Sequence, residues 1–440
     1  MERQQDYVLR QVEERGIRFI QLWFTDVLGT AKSFNITPAE LENALEEGMT
    51  FDGSAIDGFS RVQESDVLAV PDPRTFQILP LRHDPAVARV FCDIVNLDGT
   101  PFGGDPRQVL RRTLDKARSM GFTFYAAPEL EWFYFEGADA PRPLDTGSYF
   151  ELTVADKASE LRQRTVLTLE EMGIPVEYSQ HEDSPSQHEI DLRHTDALSM
   201  ADAVMTTRLI VKEIATQAGV HATFMPKPVQ GVQGSGMHTH FSLFNEDTNA
   251  FYDENDPVHL SEVGRGFIAG LLTHAREITA ITNQWVNSYK RLVVGYEAPV
   301  YVSWARNNRS ALIRLPHAKE GRPDPTRIEY RSPDPACNPY LMFAVVLAAG
   351  LRGIEKGYEL PPEAETNLFA MTDADRAAAG IAALPGSSAE ALDLMEGSDL
   401  VAETLGEHVF EWFLRNKRAE WADYKTQVTP FEIDRYFTAL

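Results

Sequence analysis

The stretch that decides the fold of this chain is residues 128–135, with the sequence PELEWFYF. Its aromatic and β-favouring residues predict a strand, and side chains two positions apart on a strand point to the same face. Glu129 and Glu131 therefore share a face, where their like charges repel unless a cation lies between them. A solvated strand face also alternates charged and apolar residues, so this pair alone leaves both interpretations open.

Three further segments repeat this one-sided polar pattern. Residues 181–192, HEDSPSQHEIDL, carry acids at both ends of a Ser/Pro turn. Residues 234–244, GSGMHTHFSLF, place three polar side chains on one strand face, and residues 327–331, RIEYR, place an acid between two arginines. Four such stripes predict an antiparallel sheet curled around a charged interior. The polar side chains concerned are Glu182, Glu189, His238, His240, Ser242, Arg327, Glu329 and Arg331.

The residue types in these stripes indicate a particular chemistry. Carboxylates with a single histidine suit Mg²⁺ or Mn²⁺, whereas zinc sites prefer cysteine and several histidines. Arginines beside such metals favour phosphate or carboxylate ligands, which guanidinium binds through paired hydrogen bonds. The combination predicts metal-assisted phosphoryl transfer.

The composition bounds the class of protein. A chain of 440 residues has room for two domains or one large one, and 43% hydrophobic residues are typical of a globular protein. The formal net charge of −25 argues against nucleic acid and against an anionic membrane, since both repel an acidic surface.

Three features predict a soluble, cytoplasmic protein. Only Cys92 and Cys337 are present, which excludes a disulfide framework and suits a reducing compartment. The N-terminus lacks the apolar core of a secretion signal. The longest apolar run, 339–351, is shorter than the ~20 residues that a membrane span needs, so we expect a buried helix there.

The order of elements predicts an α+β fold with a domain boundary near residue 100. A Gly-rich break covers 98–104, after which Asp105 suits an N-cap and Pro106 the first helical turn. Gly121 can close that helix. Further helices are predicted at 157–172, 196–218, 261–283, 339–356 and 407–423, with the polar strands between them.

The motifs resemble those of the type I glutamine synthetases of bacteria, of the alpha-like subgroup, in the order in which that family carries them. The resemblance covers nearly the whole chain, and parts of it are similar to the secondary glutamine synthetase-like proteins of actinobacteria. The segments that carry it are 19–26 (FIQLWFTD), 51–54 (FDGS), 128–131 (PELE), 234–238 (GSGMH), 291–299 (RLVVGYEAP), 308–311 (NRSA) and 327–331 (RIEYR).

The resemblance implies an architecture that composition and periodicity do not. A small N-terminal β-grasp-like domain would occupy residues 1–100, and a large C-terminal catalytic domain with a curved antiparallel sheet and helices would occupy residues 101–440. It also implies a homo-oligomer, a dodecamer of two stacked hexameric rings with active sites between neighbouring subunits.

The reaction that it implies joins ammonia to the γ-carboxylate of L-glutamate. ATP, as co-substrate, first converts that carboxylate to γ-glutamyl phosphate, and the products are glutamine, ADP and phosphate. The resemblance also implies two divalent cations per active site, Mg²⁺ or Mn²⁺. One would be held by Glu131, Glu182 and Glu189, and the other by Glu129, His238 and Glu329.

The resemblance implies roles for other polar residues as well. Asp52 from an adjacent subunit would form the ammonium pocket with Tyr149 and Glu182, and Glu297 would be the acid of a flap that shields the acyl phosphate and takes a proton from ammonium. Arg309 would spread the charge on the transferred phosphoryl group. The implied nucleotide-binding residues are Glu177, His240, Ser242, Arg309, Arg314 and Arg327, and the implied glutamate-binding residues are Gly234, Arg291 and Arg331.

Several positions depart from the family's pattern. Phe369 stands where some members carry an adenylylated tyrosine, so that control cannot operate here. Arg61 resembles the feedback arginine of a subgroup inhibited by glutamine, although a plain salt bridge is also open. The remaining departures are Ala55 for a second serine after Asp-Gly-Ser, Gln180 for a histidine, Gln233 for an asparagine and Val294 for the flap proline.

These departures keep other functions open. The missing hydroxyl at Ala55 and the altered flap leave room for a larger amine, as in a γ-glutamylpolyamine or γ-glutamylethanolamine synthetase, whereas the small anionic cage of Asp52, Tyr149 and Glu297 favours ammonia. A non-catalytic structural or sensing relative would usually lose metal ligands, and all six are present. A guanidino kinase lacks support, because the glutamate and flap motifs match.

Overall fold

The computed structural model describes residues 2–54, 56, 58, 66–152, 154, 156–317 and 325–440. Within this part of the chain, no helix is long and apolar enough to cross a membrane.

The first part of the chain is a mixed sheet with two helices and a hydrophobic core of its own. The strand order is β2-β1-β6-β4-β3, with the ranges given at the end of this paragraph. β1 and β6 are parallel neighbours, β5 pairs with the first residues of β6, and Leu22 and Val90 lie buried opposite each other. This arrangement is the predicted β-grasp. The elements are α1 Glu2–Glu14, β1 Phe19–Thr25, β2 Ala31–Ile36, α2 Leu41–Glu47, β3 Met49–Asp52, β4 Asp66–Pro71, β5 Gln77–His83 and β6 Ala86–Val95.

The second part is built on one large sheet. Its strands are β7 Thr123–Phe135, β8 Val176–His181, β9 Gln187–Leu192, β10 Thr195–Asp196, β11 His221–Thr223, β12 Thr239–Asn245, β13 Thr248–Asn249, β14 Tyr301–Ala305, β15 Ala311–Arg314 and β16 Ile328–Tyr330.

This sheet has the order β14-β15-β16-β12-β7-β9-β8. Its neighbours are antiparallel, as predicted, apart from the edge pair β14–β15, which is parallel. The four polar stripes belong to β16, β12, β7 and the hairpin of β8 and β9. They are therefore adjacent in the sheet, although they are distant in sequence.

Helices cover the sheet and form the rest of the core. They are α3 Pro106–Ser119, α4 Ser159–Glu171, α5 Ala197–Gln217, α6 Glu262–Thr282, α7 Ser288–Arg291, α8 Pro339–Lys356, α9 Asp373–Ala378, α10 Ser388–Glu396, α11 Asp399–Leu405, α12 Glu407–Tyr424 and α13 Pro430–Tyr436.

Local signals place these helices where the sequence predicts them. The Asp105 side chain caps α3 by accepting from the Arg107 amide at 2.9 Å, and Gly121 follows the helix with a φ of 85°. The predicted helices at 157–172, 196–218, 261–283, 339–356 and 407–423 are confirmed as α4, α5, α6, α8 and α12, with ends that differ by one or two residues.

Candidate active site

The polar faces of the sheet enclose one cavity of about 260 Å³. Register explains why they meet: Glu131 lies opposite Glu189 on the neighbouring strand, and His240 lies opposite Glu329. The predicted site residues that line this cavity are Glu129, Glu131, Tyr149, Glu182, Glu189, Gly234, His238, Arg291, Glu297, Arg309, Arg314, Glu329 and Arg331.

Three carboxylates, those of Glu131, Glu182 and Glu189, form the first acidic group in the cavity. Glu189 is only 4% exposed, and burial raises the pKa of all three above its usual range, with the charges of neighbouring acids adding to the effect. Among the described residues, no lysine or arginine forms an ion pair with them. Buried acids that repel each other and lack a counter-ion fit a divalent cation, which would relieve the repulsion.

Neutral donors orient these carboxylates. Gln180 Nε2 donates to Glu182 Oε1 at 2.8 Å and to Glu189 Oε1 at 3.2 Å. The Gly236 amide and Gln187 Nε2 both donate to Glu131 Oε2 at 2.9 Å. Because none of these donors carries a charge, the three acids keep their affinity for a cation.

The second group consists of Glu129, His238 and Glu329. His238 Nδ1 lies 3.4 Å from Glu129 Oε2 and 3.7 Å from Glu329 Oε1, and one ligand atom from each residue lies within 4.8 Å of the others. Burial lowers the pKa of His238, which favours the neutral imidazole that ligates metals. Two carboxylates and one imidazole are a donor set that Mg²⁺ and Mn²⁺ accept.

Cationic and imidazole side chains surround this second group. Burial alone would raise the pKa of Glu129, but hydrogen bonds from His238 and His240 hold it well below its usual range. His240 Nε2 lies 2.7 Å from Glu129 Oε1. Glu329 accepts from Arg331 Nε at 3.1 Å and also from Arg314, so this side of the cavity is held by ion pairs as well as by strand pairing.

Two arginines of the cavity, Arg291 and Arg331, are anchored to the backbone. Arg291 is 3% exposed, and its guanidinium donates to the Ser332 carbonyl at 2.7 Å and to the Arg331 carbonyl at 3.2 Å. Arg331 donates to the Arg309 carbonyl. A Cβ at Gly234 would lie 2.3 Å from the Pro226 carbonyl oxygen, so the protein's own backbone requires glycine there.

Glu297, the predicted flap acid, lies at the rim of the cavity. It is exposed and has a φ of 50°, a left-handed conformation that non-glycine residues rarely adopt. Tyr149, 46% exposed, lines the same rim, where burial followed by the charges of Glu182 and Glu189 raises the pKa of its phenol.

Five predicted residues lie outside the cavity wall. His240 and Ser242 belong to β12 without lining the cavity, and Arg327 Nε donates to His240 Nδ1 at 3.1 Å. Glu177 is exposed on β8. Asp52 ends β3 in the β-grasp sheet, away from the cavity of its own chain, and its contribution from a neighbouring subunit stays a prediction. Ala55 and Arg61 lie outside the described residues.

Sequence reasoning missed several residues that line or support the cavity. Asp191 lies opposite Glu129, and burial followed by the Glu129 charge raises its pKa to about 7. Tyr178 and Gln187 line the wall as well. The period-two alternation of the segment 187–191, QHEID, could have predicted that Gln187 and Asp191 lie on the same strand face as Glu189.

Comparisons with known proteins match both parts of the chain. Residues 16–97 match the family profile described as "Glutamine synthetase, beta-Grasp domain", and residues 103–436 match "Glutamine synthetase, catalytic domain". The chain is 56% identical to a glutamine synthetase of Mycolicibacterium smegmatis over 100% of both chains. It is 49% identical to one of Thermotoga maritima over 98% of each.

Solved structures agree with these sequence relatives. A structure titled "GmaS/ADP complex-Conformation 1" matches with a TM-score of 0.89 and 30% identity, over 98% of this chain and 99% of the other. A Plasmodium falciparum glutamine synthetase solved by electron cryo-microscopy matches with a TM-score of 0.88 and 25% identity, over 98% of both chains.

A β-grasp domain joined to a catalytic domain with this acidic, arginine-lined cavity defines an ATP-dependent ligase. The chain belongs to the glutamine synthetase family and is a glutamate–ammonia ligase that makes glutamine in an ATP-dependent reaction. The full-length relatives are named for glutamine synthesis, which favours ammonia over the larger amines and over a non-catalytic role.

Proposed function

We propose that the two acidic groups of the cavity hold two divalent cations, Mg²⁺ or Mn²⁺. Glu131, Glu182 and Glu189 would ligate one, and Glu129, His238 and Glu329 the other. The observation that carries this proposal is the burial of both acidic groups in one cavity of about 260 Å³. In the described chain, the first group forms no ion pair with an arginine or lysine, and the second group includes a neutral imidazole. When bound, such cations neutralise ATP phosphates and stabilise charge in phosphoryl transfer.

The chain's own residues then bind glutamate and help to activate its γ-carboxylate by phosphorylation. We assign Arg291 and Arg331 to glutamate binding, because both guanidinium groups face the cavity and are fixed by backbone carbonyls. A γ-carboxylate oxygen of glutamate attacks the γ-phosphorus of ATP, the bond to ADP breaks, and γ-glutamyl phosphate forms. Arg309 and Arg314 lie where positive charge would stabilise the transferred phosphoryl group. Glu177, His240, Ser242 and Arg327 are assigned to the nucleotide.

The second half of the reaction needs a proton acceptor and a dry site. Ammonium gives a proton to a carboxylate of the pocket formed by Glu297, Tyr149 and Asp52 from a neighbouring subunit. Ammonia then attacks the carbonyl carbon, the bond to phosphate breaks, and glutamine and phosphate leave. The position of Glu297 at the cavity rim supports its assignment as base and cover.

The assembly, domain boundary and location are proposals as well. A dodecamer of two hexameric rings is supported by the absence of Asp52 from the wall of its own chain's cavity and by the exposed apolar residues Phe431 of α13 and Phe437, which follows that helix. A boundary near residue 100 is supported by the smaller hydrophobic core, whose buried residues run from Val8 to Phe102. A cytoplasmic location is supported by two buried cysteines that form no disulfide.

Light scattering of purified protein tests the proposed dodecamer, since a mass well below that of twelve subunits would exclude it.

The test of the function measures phosphate release and glutamine formation with ATP, Mg²⁺ and glutamate. Ammonium, putrescine, spermidine and ethanolamine are supplied in turn. We expect turnover with ammonium only, and a loss of about a hundredfold or more in Glu131→Gln, which removes one carboxylate from the first acidic group. Turnover only with a larger amine would overturn the assignment of the ammonium pocket. An unchanged rate in Glu131→Gln would overturn the assignment of the first metal.

A further inference from the structure

The flap, residues 293–298, is joined to the glutamate side of the cavity by one contact between side chains. Lys227 Nζ lies 3.9 Å from the centroid of the Tyr296 ring. Tyr296 immediately precedes Glu297 in the chain. An ammonium group over an aromatic face at this distance is a strong cation–π arrangement. Both side chains are partly buried, which limits the competition of water for the ammonium group.

Lys227 is itself firmly held. Its amide donates to Asn287 Oδ1 at 2.7 Å, and its carbonyl accepts from Asn287 Nδ2 at 3.1 Å. Its ammonium group donates to the carbonyl of Val232, two residues before Gly234. The lysine therefore joins the flap to the loop that forms the glutamate side of the cavity.

The last flap residue, Ala298, is buried in the main hydrophobic core, so the contact of Tyr296 concerns the less buried part of the flap, residues 293–297. No strand of the described chain pairs with the flap, and the Val293 and Ala298 amides donate to carbonyls only two residues earlier in the chain. Gly295 has a φ of 97° with nothing within 4 Å of the position of a Cβ, and Val294 and Glu297 are exposed. Within residues 293–297, the ring of Tyr296 is thus the side chain that ties the segment to Lys227.

We propose that Lys227 and Tyr296 form a latch that keeps Glu297 over the cavity during the life of the acyl phosphate. This inference rests on the proposed function, because it concerns the partition of that intermediate. In the latched state ammonia attacks the carbonyl carbon and gives glutamine and phosphate. In the open state water attacks the same carbon and gives glutamate and phosphate, so that ATP is hydrolysed without product. Both residues are positioning residues, since neither transfers a proton or a group.

The strength of a cation–π contact sets the size of the effect. Contacts of this kind change an equilibrium by a few-fold when exposed and by about thirtyfold when desolvated. We therefore expect loss of the latch to increase the open population, and with it the fraction of acyl phosphate lost to water, within that range.

The experiment measures the glutamine formed per phosphate released, and the glutamate-dependent phosphate release without ammonium. Lys227→Met keeps the length of the side chain without its charge, and Tyr296→Leu removes the ring while leaving the bond from Lys227 to Val232. Lys227→Arg and Tyr296→Phe are the matched controls, because they keep the cation and the π face. Melting temperature and the apparent glutamate KM report any general damage to the fold.

We expect both disrupting variants to raise the fraction of phosphate released without glutamine by at least a few-fold, and so to lower the ratio of glutamine to phosphate, and the double variant to change it no further. Both controls should keep the wild-type ratio. A wild-type ratio in Tyr296→Leu, or an equal loss in Tyr296→Phe, would overturn the latch while leaving glutamine synthesis intact. A wild-type protein that makes no glutamine would overturn the proposed function, and the latch with it.

Discussion

At the scale of single residues, uncharged hydrogen-bond donors determine how the acids of the cavity are oriented. Gln180 bridges Glu182 and Glu189, which belong to the same acidic group, and Gln187 and Gly236 hold Glu131. A lysine or arginine at these positions would neutralise the acids and weaken their affinity for a cation. An amide fixes their orientation and leaves their charge available.

This arrangement predicts the effect of Gln180→Leu on cation binding. Loss of the amide leaves Glu182 and Glu189 without a shared donor, and we expect affinity for Mn²⁺ to fall about ten- to a hundredfold. Isothermal titration calorimetry without nucleotide measures the affinity directly. Gln163→Leu, an exposed position on α4, should leave it unchanged, and Gln180→His should retain part of it through an imidazole N–H. Equal affinity in wild type and Gln180→Leu would show that the amide does not position the acids.

At the scale of elements, the crossing of α6 and α8 depends on glycines. A Cβ at Gly270 would lie 2.1 Å from the Ala349 carbonyl oxygen, and a Cβ at Gly353 would lie 2.0 Å from the Gly266 carbonyl oxygen. The two helices therefore approach at backbone distance, where any side chain would separate them. This contact supports the sheet beneath the cavity, since α6 also packs on β14.

We expect Gly270→Ala to lower the free energy of unfolding by about 3 kcal/mol or more, because the helices must move apart to admit one methyl group. Urea denaturation followed by circular dichroism measures the change. Gly397→Ala is the matched control: its φ is −85°, and the nearest atoms to a Cβ are 3.9 Å away. That substitution should change stability by at most about 1 kcal/mol, in the stabilising direction. Similar losses in both variants would contradict the close approach as the cause.

At the scale of the whole molecule, a buried charge network joins the two domains. Arg107 at the start of α3 donates to Asp202 of α5 at 2.9 Å and to Asp72 of the β-grasp domain at 3.2 Å. Tyr340 donates to Asp202 at 2.6 Å. Because Asp52 lies in the β-grasp domain, this network also maintains the orientation of that residue relative to the catalytic domain of its own chain.

The network predicts a pH-dependent stability. Burial alone would raise the pKa of Asp72, but the hydrogen bond from Arg74 and the charges of Arg107, Arg74 and Arg111 hold it well below its usual range. A carboxylate with a lowered folded-state pKa stabilises the fold above its unfolded pKa, and that contribution is lost as the pH falls below about 4. We expect Asp72→Asn to lower the free energy of unfolding at pH 7 by about 2 kcal/mol, since it removes a carboxylate that Arg107 and Arg111 share, while both keep their ion pairs with Asp93.

Urea unfolding at pH 7, 5 and 3 checks this prediction. The difference between wild type and Asp72→Asn should persist at pH 5 and shrink at pH 3. Asp247→Asn, in the exposed turn between β12 and β13, should match wild type throughout. A difference of constant size across the three values would show that packing, and not the charge of Asp72, stabilises the junction.

The sequence by itself determined the features that depend on near neighbours in the chain. Alternation in 128–135 predicted β7 with Glu129 and Glu131 on one face, and Asp105 and Gly121 marked the ends of α3, because strand periodicity and helix caps are properties of a few adjacent residues. The motifs also identified the family. Only the tertiary structure decided that β14 and β15 are parallel, that Asp191 faces Glu129, that Gln180 bridges two acids and that Tyr296 rests on Lys227. Those contacts join segments that the sheet topology brings together, and no local propensity encodes which strands become neighbours.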